Sequence, residues 1–264
     1  MAVYYNENEP YAAEWLRQLI KAGHIPHGDV DERDIRDVLP TDLLGYTQCH
    51  FFAGIGGWPY ALRLAGWPDD RPVWTGSCPC QPFSTAGKRK GFDDERHLWP
   101  AWFWLISQCR PSIVFGEQVA RAKVWLDLVC SDLEGEGYAC GAAILPAAGV
   151  DAPHIRERFW FVADTDRQGK HGVPVNAEMA TVSELVSDAR GAELRLQSGR
   201  GSRPNGKATP VAGDDGAARW WRTEPDVGRV AHGVPARVGK LRALGNAIVP
   251  QVAAEFIRAY DVGY

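Results

Sequence analysis

The stretch Gly76-Ser77-Cys78-Pro79-Cys80-Gln81-Pro82-Phe83-Ser84 leaves this chain few folds to choose from. Pro79 and Pro82 fix two backbone φ angles and remove two amide donors, so the chain must turn there on a stiffened arch. The segment follows the apolar run Val73-Trp74 and reads as the loop leaving the carboxyl end of a strand. Open α/β sheets bind ligands at such ends. A thiol held on the arch, that of Cys80, can serve as a nucleophile if nearby groups favour its thiolate. A lone cysteine is more commonly structural or spare, so its partners elsewhere in the chain decide.

A second loop of the same kind lies upstream. His50-Phe51-Phe52 enters Ala53-Gly54-Ile55-Gly56-Gly57, followed by a helical pattern through Tyr60, Leu62 and Leu64. Strand, glycine turn and helix form the context in which backbone amides approach a carboxylate or phosphate. Before it, Ala2 to Tyr5 reads as a strand, and Pro10 opens a helix with Trp15, Leu16, Leu19 and Ile20 at helical spacing, stopped by Gly23. Gly28-Asp29-Val30 reads as a strand end or turn, with a charged helical piece from Asp31 to about Leu39. After the arch, Trp99, Trp102, Phe103 and Ile106 mark a helix whose aromatics are expected in the core. Ile113-Val114-Phe115 is a buried strand that delivers Glu117. Val124 to Leu133 is helical in pattern, Tyr138 to Leu145 and Phe159 to Val162 are strands, and a helix is expected from Pro250.

Composition narrows the class. At 264 residues, 45% hydrophobic and with eleven tryptophans, the chain can bury a full core. No apolar run approaches the ~20 residues of a membrane span, and the N-terminus lacks the layout of a signal peptide. Cysteines 49, 78, 80, 109, 130 and 140 have no metal-type spacing. Free thiols in a reducing cytoplasm, and no metal, are the expectation. Net charge is −4 and the isoelectric point ≈ 6.0, which argues weakly against a polyanionic partner. Locally, Arg195, Arg200, Arg203 and Lys207 have no acidic residue between them, enough for a phosphate-binding strip.

Pro79-Cys80-Gln81-Pro82-Phe83-Ser84 resembles the nucleophile loop of the DNA cytosine-5 methyltransferases, and Phe52-Ala53-Gly54-Ile55-Gly56-Gly57 resembles that family's cofactor loop. Three more segments follow in order. Glu117-Gln118-Val119 is similar to a family motif that usually reads Glu-Asn-Val. His154-Ile155-Arg156-Glu157-Arg158 is similar to one that reads Gln-x-Arg-x-Arg, and Leu244-Gly245-Asn246-Ala247-Ile248-Val249-Pro250 to the C-terminal motif, which packs on the cofactor loop. Two departures stand out. The family's Gln-Gly-Phe-Pro segment is not recognisable between Trp220 and Lys240. About twenty residues separate Gly57 from Cys78, where the family places two strands carrying acidic cofactor ligands. Those strands resemble Val3 to Ala12, with Asn6-Glu7 and Tyr11-Ala12, and Gly28-Asp29-Val30. The order is then transposed: ribose strand, adenine strand, glycine loop, nucleophile loop. Such a chain should place Ala2–Glu7 beside Phe51-Phe52, with Glu7 facing the glycine loop. It also reverses the usual direction of travel between the glycine and nucleophile strands, so the intervening helix changes faces or the crossover is left-handed.

The resemblance implies an α/β, Rossmann-like sheet of the S-adenosylmethionine-dependent methyltransferase type with a small loop-rich target-recognition lobe. Residues 1–163 would form the catalytic and cofactor-binding domain, 164–221 a DNA-facing lobe or partly disordered insert, and 222–264 a segment returning to the catalytic domain. It implies methyl transfer from S-adenosylmethionine to carbon 5 of cytosine in double-stranded DNA, with the target base flipped out to reach Cys80. Glu117 would hydrogen-bond or protonate ring nitrogen 3, and Arg156 and Arg158, alternating on one face, would hold the base carbonyl and adjacent phosphate. Phe52, Ala53, Gly54, Ile55, Gly56 and Gly57 would hold the cofactor's amino-acid end, Glu7 the ribose and Asp29 the adenine amine, with Pro79, Asn246 and Ala247 completing that side. Gln81, Ser84, Arg195, Arg200, Arg203 and Lys207 would contact DNA. The expected setting is a monomer in the cytoplasm of a prokaryotic or phage-infected cell, with a cognate restriction enzyme as a potential partner. Two alternatives stay open: the same thiolate activation with a different one-carbon donor, and an inactive relative that binds DNA.

Overall fold

The computed structural model describes residues 2–79, 98–120, 122–165 and 244–262. Its strands are β1 (Ala2–Asn6), β2 (Gly28–Asp31), β3 (Tyr46–Phe51), β4 (Val73–Gly76), β5 (Ile113–Val119), β6 (Ala139–Pro146) and β7 (Glu157–Asp164). Its α-helices are α1 (Pro10–Lys21), α2 (Gly57–Ala65), α3 (Trp99–Cys109), α4 (Lys123–Gly135) and α5 (Pro250–Val262). The strands form one seven-stranded sheet in the order β2-β1-β3-β4-β5-β7-β6. β7 runs antiparallel to both its neighbours, while β1 through β5 are mutually parallel.

Local chemistry explains the elements. Glu9 caps α1 by accepting from the Ala12 amide at 2.8 Å, Pro10 occupies the first helical position, and Gly23 turns the chain out at φ 72°. The charged run after β2 is not an α-helix. It forms two short 3-10 turns, Ile35–Asp37 and Pro40–Leu43, because Asp34 folds back on the Arg36 amide and Pro40 interrupts any longer helix. The sheet runs to Asp164, one residue past the boundary expected at 163. Asp164 is buried and accepts from the Tyr260 hydroxyl of α5 at 2.7 Å.

Two layers cover the sheet. On one face α3 and α4 bury Trp99, Trp102 and Trp125, with Ile35, Val38 and Leu43 of the 3-10 turns, against Tyr4, Phe51, Trp74 and Phe161. The aromatics of α3 are thus core, as expected, except for the half-exposed Trp104. On the other face α2 and α5 pack on Val73, Phe115 and Trp160. α1 covers Val3 and Tyr5 on that same face: Tyr5 lies 5.3 Å from His50, whose Nδ1 is 2.8 Å from Thr75 Oγ1, and Thr75 shares a strand face with Val73.

This settles the crossover question. β1–α1–β2 and β3–α2–β4 step across the sheet in opposite directions, yet α1 and α2 lie on one face, so the two units have opposite hands. β4–α3–β5 steps the same way as β3–α2–β4 with its helix on the other face, and so shares the hand of β1–α1–β2. β3–α2–β4 is the odd unit, in the left-handed class that makes up only about 2% of such connections. Packing holds α2 on that face. A Cβ on Gly57 would lie 2.6 Å from Ile248 Cγ1, so the first turn of α2 fits against the segment leading into α5 only as glycine.

Candidate active site

The carboxyl ends of β1 and β3 meet at the glycine turn. Asn6 is in register with Phe51, and the Ala53 amide donates to the Asn6 carbonyl at 3.0 Å. Phe52, Gly54 and Gly56 all take positive φ, 51°, 55° and 81°, which folds the segment into a tight turn before α2. Glu7, the residue after β1, accepts from the Gly54 amide at 2.7 Å through Oε2 and from its own Glu9 amide at 2.9 Å through Oε1. A strand whose carboxylate stands 47 positions before Gly54 thus puts that carboxylate on the glycine loop.

Asp29 is placed differently. It is exposed, in register with Tyr4 in the middle of β1, and its Oδ2 accepts from the Tyr46 hydroxyl at 2.8 Å. The carboxylate nearest the Glu7 turn on β2 is Asp31, whose carbonyl accepts from the Glu7 amide at 3.0 Å. The Asp31 side chain is gripped by Arg33 and by the Tyr4 hydroxyl. Burial pushes its pKa up, but the Arg33 and Tyr4 hydrogen bonds prevail and hold it below the usual carboxylate range. Tyr4, Asp29, Asp31 and Arg33 line a cleft of about 440 Å³ beside these strand ends. Sequence reasoning passed over Asp31 and Arg33, whose spacing carries no motif.

The ends of β4, β5 and β7 build the second half. Glu117, near the end of β5, is 7% exposed, and its Oε1 lies 2.9 Å from Arg158 Nε of β7. Burial raises its pKa, and the charges of Arg158 and Arg156, with smaller contributions from Ser77 and the Arg158 hydrogen bond, oppose the rise without cancelling it. Gln118, standing where a shorter asparagine is usual in the resembling family, is buried. Its Nε2 donates to the Cys78 carbonyl at 3.2 Å, so the longer side chain braces the arm that leads to Cys80. Trp58 Nε1 donates to Ser77 Oγ at 3.0 Å from the α2 side. Neither of these braces was anticipated from sequence, because each joins residues 19 or 40 positions apart.

Arg156 departs from the expected alternation with Arg158. It precedes β7 with φ 36° and donates to the Gly245 carbonyl at 3.0 Å and the Ala247 carbonyl at 2.6 Å. Burial and the neighbouring Arg158 lower its pKa, offset in part by Glu117. Arg156 therefore links Glu117 to the segment carrying Asn246, Ala247 and Ile248, and Ile248 closes on Gly57. Among the site residues expected from sequence, Glu7, the glycine turn, Pro79, Glu117, Arg156, Arg158, Asn246 and Ala247 share this end of the sheet. Cys80, Gln81, Ser84, Arg195, Arg200, Arg203 and Lys207 lie outside the described residues. Among the described residues no group of three or more His, Cys, Asp or Glu side chains is arranged to hold a metal, and no helix is long and apolar enough to cross a membrane.

Comparison with known proteins adds an independent line. The model of the C-5 cytosine-specific DNA methylase family matches residues 1–195. Among curated proteins the chain is similar to the Type II methyltransferase M.AplI of Arthrospira platensis, 32% identical over 104 residues, covering 38% of this chain and 29% of that protein. It is also similar to the Type II methyltransferase M.NgoMIV of Neisseria gonorrhoeae, 31% identical over 128 residues, covering 46% of this chain and 41% of the relative. The chain thus spans less than half the length of each of these relatives. Among solved structures, a Spodoptera frugiperda DNMT2 mutant aligns with a TM-score of 0.40 at 14% identity, covering 64% of this chain and 51% of that one.

Proposed function

Given that the chain belongs to the C-5 cytosine-specific DNA methylase family, we propose that it transfers a methyl group from S-adenosylmethionine to carbon 5 of cytosine in double-stranded DNA, through a covalent adduct on Cys80. The observation that carries this reading is the buried Glu117, paired with Arg158, while its neighbour Gln118 holds the arm that leads to Cys80.

Carbon 5 of cytosine is a weak nucleophile until a thiolate adds to carbon 6. In this reading Cys80 makes that bond, and the electron density it delivers passes through the ring to carbon 5. Addition is easier when ring nitrogen 3 accepts a proton or a strong hydrogen bond. Glu117 is suited to give one, because burial raises its pKa toward the working range of a general acid. Arg158 fixes the orientation of that carboxyl group and balances the charge that develops beside it. After methyl transfer a base removes the carbon 5 proton, and the Cys80 thiolate leaves as the ring regains its aromaticity. Arg195, Arg200, Arg203 and Lys207, with Gln81 and Ser84, are the proposed DNA contacts.

When bound, S-adenosylmethionine supplies the electrophilic methyl group. The residues present fit it. The glycine turn from Phe52 to Gly57 is tightly folded around the Gly54 amide, and Glu7 is held on that turn at a strand end, where vicinal ribose hydroxyls can be accepted. That placement supports S-adenosylmethionine over another one-carbon donor. Asp29 is retained as the proposed adenine contact, from the cleft it shares with Asp31 and Arg33. Pro79, Asn246 and Ala247 complete the proposed pocket. A monomer acting in the cytoplasm, alongside a cognate restriction enzyme, completes the proposal.

The test is covalent trapping. DNA carrying 5-fluorocytosine, mixed with the protein and S-adenosylmethionine, should yield a stable adduct, because fluorine at carbon 5 blocks the final elimination. Cys80→Ser should lose the adduct and Cys78→Ser should keep it. An adduct that survives Cys80→Ser sinks the assignment.

A further inference from the structure

Two thiols that the proposed reaction does not use lie against each other at the far end of the sheet. Cys130, just past the middle of α4, and Cys140, the second residue of β6, are ten positions apart in the chain, and Cys140 Sγ donates to Cys130 Sγ at 2.8 Å. A disulfide bond is about 2.05 Å long, so roughly 0.8 Å of approach separates this contact from a covalent one. The connection between the two elements is short and tightly turned. Gly137 takes φ 83°, which glycine adopts without strain, and the Tyr138 amide returns to the Leu133 carbonyl at 3.0 Å. Both thiols are half-buried at the margin of the core that α3 and α4 build, and β6 is the outermost strand, so small solutes reach them, whereas Cys49 is 1% exposed.

We propose that Cys130 and Cys140 are a modification site, forming a reversible intramolecular disulfide with hydrogen peroxide that clamps α4 to the outer edge of the sheet. The site is separate from the one built around Glu117. Cys140 is in register with Ala163 near the end of β7, and Ala163 with Val114 near the start of β5, while Glu117 and Arg158 meet where β5 ends and β7 begins. The hydrogen bond to Cys130, together with burial, holds the Cys140 thiol protonated, which leaves Cys130 as the sulfur that attacks first. The Cys130 thiolate takes one oxygen of the peroxide and breaks the O–O bond, becoming a sulfenic acid. The hydroxide released takes up the proton that Cys130 gave away and becomes water. Cys140 sulfur then attacks Cys130 sulfur, the S–O bond breaks, and the departing hydroxyl leaves as a second water with the Cys140 proton. Two thiols have lost two electrons, and one peroxide has been reduced to two waters. In a reducing compartment the pair rests as thiols.

The experiment treats the purified full chain with hydrogen peroxide, caps free thiols with N-ethylmaleimide and digests the product without reductant. Cleavage after Glu134 or Glu136 separates the two cysteines, so their peptides stay joined only through a bridge. Most molecules should give the joined pair, dithiothreitol should part it, and the bridged chain should melt roughly 5–10 °C above the reduced one. Cys130→Ser and Cys140→Ser should show neither the joined peptides nor the rise in Tm. At higher peroxide the thiol left in each should go on to the sulfinic acid, having no partner to trap its sulfenic form. The wild-type digest decides even where a variant fails to fold. Cys130 and Cys140 recovered as separate capped peptides, or joined to other cysteines, overturn the inference. A bridged chain that melts with the reduced one overturns the clamp.

Discussion

Glu7 is the residue on which the transposed order of this chain stands, and replacing it by alanine should do two separable things. The carboxylate accepts from the Gly54 amide at 2.7 Å and from the Glu9 amide at 2.9 Å. Hydrogen bonds to a charged group contribute about 1.5–3 kcal/mol each where water cannot replace them. Glu7 is only half-buried, so water recovers part of that, and a net loss of about 2 kcal/mol is expected. For a domain of this size that lowers Tm by roughly 4–8 °C. A carboxylate accepts at roughly four positions, so anchoring the turn is compatible with accepting ribose hydroxyls. Losing that contact should weaken S-adenosylmethionine by about ten- to a hundred-fold. Glu7→Gln retains an acceptor without the charge and should fall between wild type and alanine on both scales. Calorimetric titration with S-adenosylmethionine and thermal unfolding of the same samples measure the two effects. Wild-type affinity in Glu7→Ala would refute the ribose assignment. An unchanged Tm would refute the claim that this carboxylate holds the glycine turn.

Arg158→Ala leaves Glu117 buried without its ion pair and should cost about 3 kcal/mol near pH 8 by chemical denaturation. The folded-state pKa of Glu117 is already raised by burial and rises further without Arg158. The native state then holds a proton that the unfolded state has released, so stability falls as pH rises from the ordinary carboxylate range through the raised value. The deficit of Arg158→Ala relative to wild type should therefore shrink toward pH 5, and a deficit independent of pH would contradict this. Gly57→Ala puts a methyl 2.6 Å from Ile248 Cγ1 and should destabilise the protein by about 1–3 kcal/mol, with Ile248→Ala in the same chain recovering part of the loss. Additive losses would show that the two do not touch. Replacing Arg195, Arg200, Arg203 and Lys207 together by alanine should weaken DNA binding and flatten its salt dependence, with little change in sequence preference, as read from titrations at several salt concentrations. An unchanged affinity and slope would exclude this strip as a phosphate contact.

Much of this architecture was legible from local pattern alone. Helices α1, α2, α3 and α5 announce themselves through spacing and through Pro10, Gly23 and Pro250, because caps and amphipathic faces are properties of neighbouring residues. The glycine turn was legible for the same reason: it concentrates its conformational demands within six residues. Local reading failed at Asp31 to Leu39, where the charge pattern suggested a helix and the chain folds as two 3-10 turns. There Asp34 satisfies the backbone from its side chain, a competition that periodicity does not register.

What tertiary structure alone decided is how the strand ends are braced and on which face each helix lies. The sequence by itself determined that Glu7 and Gly54 follow a strand's carboxyl end and that Glu117 stands near one, since that follows from short apolar runs and the residues that stop them. The family likeness of Val3 to Ala12 also anticipated β1 beside β3, but nothing in the sequence chose between a change of face and the unusual hand for α2, or showed that Trp58 and Gln118 brace the arm before Cys80. Those contacts join residues far apart in the chain, and the choice among them is made by packing. Ile248 closing on Gly57 holds α2 on its face of the sheet, and that placement brings the indole of Trp58 to Ser77.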